Sequence, residues 1–441
     1  MTPADSPLLA VLRDAPRRFR MPALHGDAQA ARAAGAECAL AFAMEAARTG
    51  MASPALQDLF TDALANLIGQ ALVTGADPAF QAQVQRSAQP EVEAFARLAA
   101  RAEADRRMVR AASDALAHPG KLRTLDDVAL RGKLARLHEL ASQEDWTALA
   151  AAAVQVDTPD PGLRHAAHRI ASHPALERLR HLAALRALPT VQQYLALCEQ
   201  RGPRAGSDEA AAHGRASARA GDAAEDLVAQ ALLEAARWLD RHESQRPHRV
   251  VRSLRTPAGF PAGAAKAKDE WDAAIVRTRG DTGDIVLLAE VKASPAAATP
   301  DFGRLLRGLQ RLAQADPQAR YTFACAEGEV TLHGESLQAL QPPGFALPPH
   351  VIYCCAANEA RPPVLSAASR AVLLGEPASL AFARAHAAGA TRLHADLQPV
   401  WHALTAEPRL RSALHQYDTA KAAREAMLHP ADLLAALTAA A

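Results

Sequence analysis

Apolar residues recur at three- and four-residue spacing through most of the first two hundred positions. After Ser53-Pro54, an N-cap and first-turn proline, Leu56, Leu59, Phe60, Leu64, Leu67 and Ile68 mark one face of a helix. Similar stripes follow Pro90 (Val92, Phe95, Leu98) and Thr124 (Leu125, Val128, Leu130, Leu134, Leu137). The spacing predicts a helical domain over residues 1–200, with no fixed repeat period and hence no regular solenoid. From Arg201 to Gly221 the chain turns to Gly, Ala, Arg and Ser, which reads as a linker over 201–220.

The period then changes. Residues 221–241 are expected to form an amphipathic helix that buries Leu227, Val228, Ala231, Leu232, Ala235 and Leu239. Three runs rich in Val, Ile and Leu follow at 248–256, 270–278 and 285–294 and read as strands. A second amphipathic helix, 301–314, turns Phe302, Leu305, Leu306, Leu309 and Leu312 inward, and another strand is expected at 321–326. The order αβββαβ describes a compact α/β core over 221–358, with 351–355 as a candidate fifth strand. From Ser366 the pattern returns to helix, broken at Pro399, Pro408 and Pro430, so 359–441 reads as a helical C-terminal region. The expected fold class is multidomain: an α-helical N-terminal domain, an α/β core and a helical C-terminal region.

The length of 441 residues suits about three folded units. Hydrophobic residues make up 49% and aromatic ones only 4%, which favours small-residue helical packing over an all-β fold. Lys and Arg total 49 against 48 Asp and Glu, so any nucleic-acid site must be a local patch on a neutral chain. Cys38, Cys198, Cys325, Cys354 and Cys355 are odd in number and lack zinc-finger spacing; reduced thiols and a cytoplasmic location are expected. Leu8 to Leu12 is interrupted at once by Arg13, and no run approaches the roughly 20 apolar residues of a bilayer span, so neither secretion nor membrane insertion is expected. Cys354 and Cys355, neighbours in an apolar strand, should face opposite sides as buried small hydrophobes and not form a redox pair. His165, His168 and His173 have no acidic or thiol partner at ligand-like spacing and fit a partly exposed helix.

Glu290 and Lys292 stand out chemically. They end the most apolar strand, Ile285-Val-Leu-Leu-Ala289, and side chains two apart on a strand share a face. The preceding turn, Arg279-Gly-Asp-Thr-Gly-Asp284, makes a hairpin with the strand before it. Numbers of paired residues across a hairpin keep a constant sum, which puts Asp272 opposite Glu290 or, one step away, opposite Lys292. Two carboxylates on adjacent strands offer the hard oxygen ligands that Mg²⁺ (or Mn²⁺) takes, with water and a substrate phosphate completing the shell. A lysine beside them can orient the attacking water and stabilise phosphoryl oxygens. Glu225, beside the buried stripe of the first core helix, is a candidate third carboxylate.

This order of residues is similar to the PD-(D/E)XK, or restriction-endonuclease-like, nuclease superfamily: Glu225 on a first helix, Asp272 on the second strand, Glu290-Val-Lys292 on the third and a basic helix afterwards. The resemblance covers roughly 125 residues. It implies a restriction-endonuclease-like core and a Mg²⁺-dependent phosphodiesterase, with DNA as the substrate, Asp272 and Glu290 as metal ligands, Lys292 as the catalytic lysine and Glu225 as an optional further ligand. Trp271 stands where the name-giving proline would be, and Gln310-Arg-Leu-Ala-Gln314 lacks the Gln-x-x-x-Tyr pattern of RecB-like members. Lys266, Lys268, Arg304, Arg307 and Arg311 read either as a rim that tracks phosphates or as an ordinary solvated face. Asp301 and Glu327 border the core without a spacing that demands a role. The competing expectation is a non-catalytic adaptor that binds nucleic acid or a protein partner, or self-associates, through its helical regions.

Overall fold

The Val- and Ile-rich runs form a mixed sheet of seven strands among the described residues: β1 (His248–Arg255), β2 (Glu270–Arg279), β3 (Thr282–Lys292), β4 (Arg320–Cys325), β5 (Gly328–His333), β6 (Val351–Cys355) and β7 (Met427–Leu428). A computed structural model of the chain describes residues 6–24, 26–200, 202, 207–243, 247–261, 267–358, 362–390 and 393–440. β2 lies antiparallel between β1 and β3. The β4–β5 hairpin joins β1 through Arg255↔Ala324 and β3 through Gly283↔Leu332, so these five strands close on themselves. β6 runs parallel to the second half of β3, from Leu288↔Val351 to Lys292↔Cys355, and β7 runs parallel to β6.

Helices that cover this sheet include α1 (Pro7–Asp14), α2 (Asp208–His242), α3 (Ala298–Leu312) and α4 (Pro430–Ala439). Strand alternation sorts the apolar side chains into two cores. Ala273, Ile275, Leu287, Ala289, Ile352 and Cys354 meet Val228, Leu232, Ala235 and Leu239 of α2, with Leu8, Val11 and Leu12 of α1 and Leu433 and Leu437 of α4. Ala274, Val276, Leu288, Tyr353 and Cys355 meet Phe302, Leu305, Leu309 and Leu312 of α3 on the other face. Cys354 and Cys355 thus lie in opposite cores, as their adjacency in a strand predicts. α2 begins with Ser207, whose Oγ accepts from Ala210 N (3.1 Å), and nothing from Asp208 to Ala223 is buried.

The chain divides into two compact units. One draws on residues 1–67, 204–373 and 393–441 and contains the sheet; the other draws on 68–203 and 374–392. The second unit is helical. Its helices start with capping residues before proline, as at Asp77-Pro78, Asp160-Pro161 and His173-Pro174, and Leu134, Leu137, Leu149, Ala153, Ala167 and Leu176 form its main core. His173 is one of those caps, its Nδ1 accepting from Ala175 N (3.1 Å), while His165 and His168 are exposed. Asp105, 1% exposed, is held by Arg178.

The expected boundaries differ from these. An apolar stripe says that a helix is buried but not against what, and the stripe of α1 packs with α2 and α4, so the expected 1–200 domain is split between the units. The expected 201–220 linker is helix from Asp208 onward, because its alanines and serine cap outweigh Gly214; positions 201 and 203–206 lie outside the described residues. After α3, 320–325 forms a hairpin with β5, a strand not expected from the sequence, and it is β5 and β6, not β4, that pair with β3. The expected C-terminal region 359–441 is divided as well: β7 joins the sheet from within it, while 374–392 belong to the helical unit. Among the described residues no helix is long and apolar enough to cross a membrane.

Candidate active site

The β2–β3 ladder runs Ile275↔Leu287, Ala274↔Leu288, Ala273↔Ala289 and ends there, one step before Asp272 and Glu290. This is the first of the two registers that the hairpin allowed. Beyond the last pair, Asp272 substitutes its side chain for the ladder: Oδ2 accepts from the Val291 amide at 2.7 Å. β3 meanwhile continues against β6 as far as Lys292, so the two carboxylates sit where β2 and β3 part. Across β2 from Asp272, between the pairs Arg252↔Ala273 and Leu254↔Trp271, Ser253 takes a left-handed φ of 51°.

Glu290 is the centre of the charge cluster and is 2% exposed. Its Oε1 accepts from Lys292 Nζ at 2.8 Å and from Lys268 Nζ, while its Oε2 is buried and accepts no hydrogen bond. Burial, and after it the nearby Asp272 carboxylate, push its carboxyl up to about 7 despite the two ammoniums. Lys292 Nζ also reaches Asp301 Oδ2 at 3.0 Å and lies 5.8 Å from the centre of the Tyr353 ring. Burial pulls the Lys292 ammonium down, but Glu290 and Asp301 more than offset this and hold it above its ordinary value. Tyr353 donates to Asp301 Oδ2 (3.4 Å), and burial followed by Asp301 and Glu290 raises its phenol.

Lys268 corrects one expectation. It is not on a rim but inside, 8% exposed, bonded to Glu290 and 3.7 Å from Asp272 Oδ1. Arg311 also turns inward; its guanidinium stands 5.9 Å from the centre of the Phe260 ring and its Nε is buried without a partner. Arg304 and Arg307 are exposed on α3, with Arg304 4.0 Å from Asp269, and Lys266 lies outside the described residues. Glu225 is exposed on α2 and does not reach into the sheet, yet it feels Asp272: burial, then Asp272, Asp222, Asp226 and Glu270, hold its carboxyl above the usual range. Glu225, Asp222 and Asp226 thus make the border on the α2 side largely acidic, with Arg252 nearby, while Arg304 and Arg307 stand on the α3 side.

Asp301 and Tyr353 are members of the cluster that the sequence reading left out. Asp301 was legible. It falls three residues after Ala298, four before Leu305 and seven before Gly308, all buried, and so lies on the inward stripe of α3. Glu327, the other residue left without a role, pairs with Arg252 Nε (2.8 Å) and accepts from the Arg252 amide (2.8 Å), which closes the β1–β4 corner.

Among the described residues, no three His, Cys, Asp or Glu side chains converge to hold a metal by themselves. The donor set nevertheless fits Mg²⁺, which keeps several waters and takes one or two carboxylates plus substrate phosphate. Glu290 Oε2, buried without a donor beside a second carboxylate, is the atom such an ion would satisfy. Comparisons with family models, curated proteins and solved structures yield no match.

Proposed function

We propose that the chain is a metal-dependent phosphodiesterase with a restriction-endonuclease-like core, acting on DNA in the cytoplasm. One observation carries the reading: Asp272, Glu290 and Lys292 meet at the parting of β2 and β3, and Glu290 Oε2 is buried there without a donor. The order of elements supports it as well, since α2, β1, β2, β3, α3 and β4 follow αβββαβ along the chain and β6 adds a strand parallel to β3. The chemistry that Mg²⁺ or Mn²⁺ would supply there is Lewis acidity toward a phosphate oxygen and a water. Asp272 and Glu290 would hold the ion, and Glu225, exposed on α2, would bear on it through its charge. Lys292, kept as an ammonium by Glu290 and Asp301, orients the attacking water and stabilises negative phosphoryl oxygens; it is not a free base. Asp301 holds that ammonium in place, and Arg304 and Arg307 offer a basic approach for the DNA backbone.

The test is incubation of the protein with supercoiled, linear and single-stranded DNA in Mg²⁺ or Mn²⁺, beside Glu290→Gln. Cleavage by wild type alone is expected; equal cleavage by both assigns the activity elsewhere. The adaptor reading has one observation in its favour: Lys268 already supplies a positive charge to the acidic pair. A protein that binds DNA yet neither binds Mn²⁺ nor cuts would establish it.

A further inference from the structure

We propose that Lys268 sets the affinity of the Asp272–Glu290 pair for a divalent cation, by holding its own ammonium where the charge of that cation would act. The inference rests on the functional reading above and concerns the regulation of the same site. Lys268 Nζ is bonded to Glu290 Oε1 and stands 3.7 Å from Asp272 Oδ1, so it faces both proposed ligands. Its seat is built by packing. Gly308 lets α3 approach so closely that a Cβ there would lie 2.9 Å from Lys268 Cβ, 2.9 Å from Trp271 Cη2 and 3.0 Å from the Lys268 carbonyl oxygen. The backbone bearing Lys268 is thus pressed onto α3, and its side chain is aimed at the acidic pair.

Counting charges gives the consequence. With Glu290 ionised, as it must be to ligate a cation, Asp272, Glu290 and Asp301 carry three negative charges against the two ammoniums of Lys268 and Lys292. Adding a divalent cation with Lys268 in place leaves the buried cluster positive by one; adding it as Lys268 withdraws leaves it neutral. Like charges a few ångströms apart in a poorly hydrated site repel strongly, so entry of the cation and withdrawal of Lys268 are coupled. The lysine acts as an internal counter-ion that keeps the site quiet at low metal concentration.

The experiment titrates Mn²⁺ alone into the full-length wild type and Lys268→Met at constant ionic strength, following free Mn²⁺ by electron paramagnetic resonance. The variant should bind one Mn²⁺ at least about tenfold more tightly. A second measurement needs no substitution: in the wild type, Lys268 should resist an amine-reactive reagent without Mn²⁺ and become labelled as Mn²⁺ saturates, read by mass spectrometry. Equal Kd values, or a Lys268 still protected at saturation, would overturn the inference while leaving the metal site standing. No Mn²⁺ bound by either protein would remove the functional reading along with it.

Discussion

Replacing Glu290 by Gln should stabilise the sheet-containing unit at alkaline pH. Burial and Asp272 raise the Glu290 carboxyl from 4.5 to about 7. The folded chain therefore holds a proton that the unfolded chain has released. The stability this group contributes is full below about pH 4.5 and is lost as the pH rises through about 7. At roughly 1.4 kcal/mol per pH unit, that interval is worth about 3 kcal/mol. Glutamine keeps the shape but cannot ionise, and both ammoniums retain a carboxylate, Lys268 with Asp272 and Lys292 with Asp301. Hydrogen exchange at peptides from β2 and β3, corrected for the intrinsic pH dependence, reads the opening of this unit separately from the helical one. From pH 5 to 8 the wild-type opening constant should rise by roughly two orders of magnitude relative to Glu290→Gln. Saturating Mg²⁺, which favours the ionised carboxyl, should narrow the gap. A wild-type profile that parallels the variant, or a variant that opens more readily at pH 8, would refute the argument.

Gly308→Ala puts a methyl 2.9 Å from Lys268 Cβ and Trp271 Cη2; overpacking of about 1–3 kcal/mol should lower the urea midpoint of the same unit. In the helical unit, Arg178→Ala leaves the buried Asp105 carboxylate without its partner, and a lower urea midpoint should appear at that unit's peptides. Lys292→Ala should abolish cleavage yet retain DNA binding measured in Ca²⁺, because backbone affinity comes from the exposed Arg304 and Arg307 and not from the buried lysine; loss of both together would mean that Lys292 anchors the substrate.

The parts of this fold that show in the sequence are those with a period. β2, β3 and β6 are runs of apolar residues, and alternation in β3 alone puts Glu290 and Lys292 on one face. β5 has only Val330 and Leu332 to announce it, and β7 is two residues long, defined by its pairing with Tyr353 and Cys354. Lys268 was read as a surface cation because a lysine in an irregular stretch carries no periodic signal; its burial depends on Gly308, forty residues away. The change of unit at 203–204 falls near the expected boundary, but the one at 67–68 was unreadable for a related reason. The stripe Leu8, Val11 and Leu12 fits any apolar partner, and α2 and α4, its actual partners, lie far along the chain.

Two buried charge networks occupy opposite ends of β2, and the contrast bears on function. At one end, Arg277, 1% exposed, meets Glu243 at 3.1 Å, and His248 Nδ1 meets Asp240 at 2.9 Å, joining the end of α2 to the sheet. At the other end, three carboxylates face two ammoniums, and the most buried carboxylate keeps one oxygen without a donor. A buried ion pair is weak support for stability even when balanced, and an excess of one sign in a buried cluster costs stability outright. Packing alone would replace Glu290, between Ala289 and Val291 on the most apolar strand, by another hydrophobe. Its presence there, with a carboxyl raised to about 7 and an ammonium on each side, is what the phosphodiester hydrolysis proposed above would call for, since that reaction needs both signs of charge within one small volume.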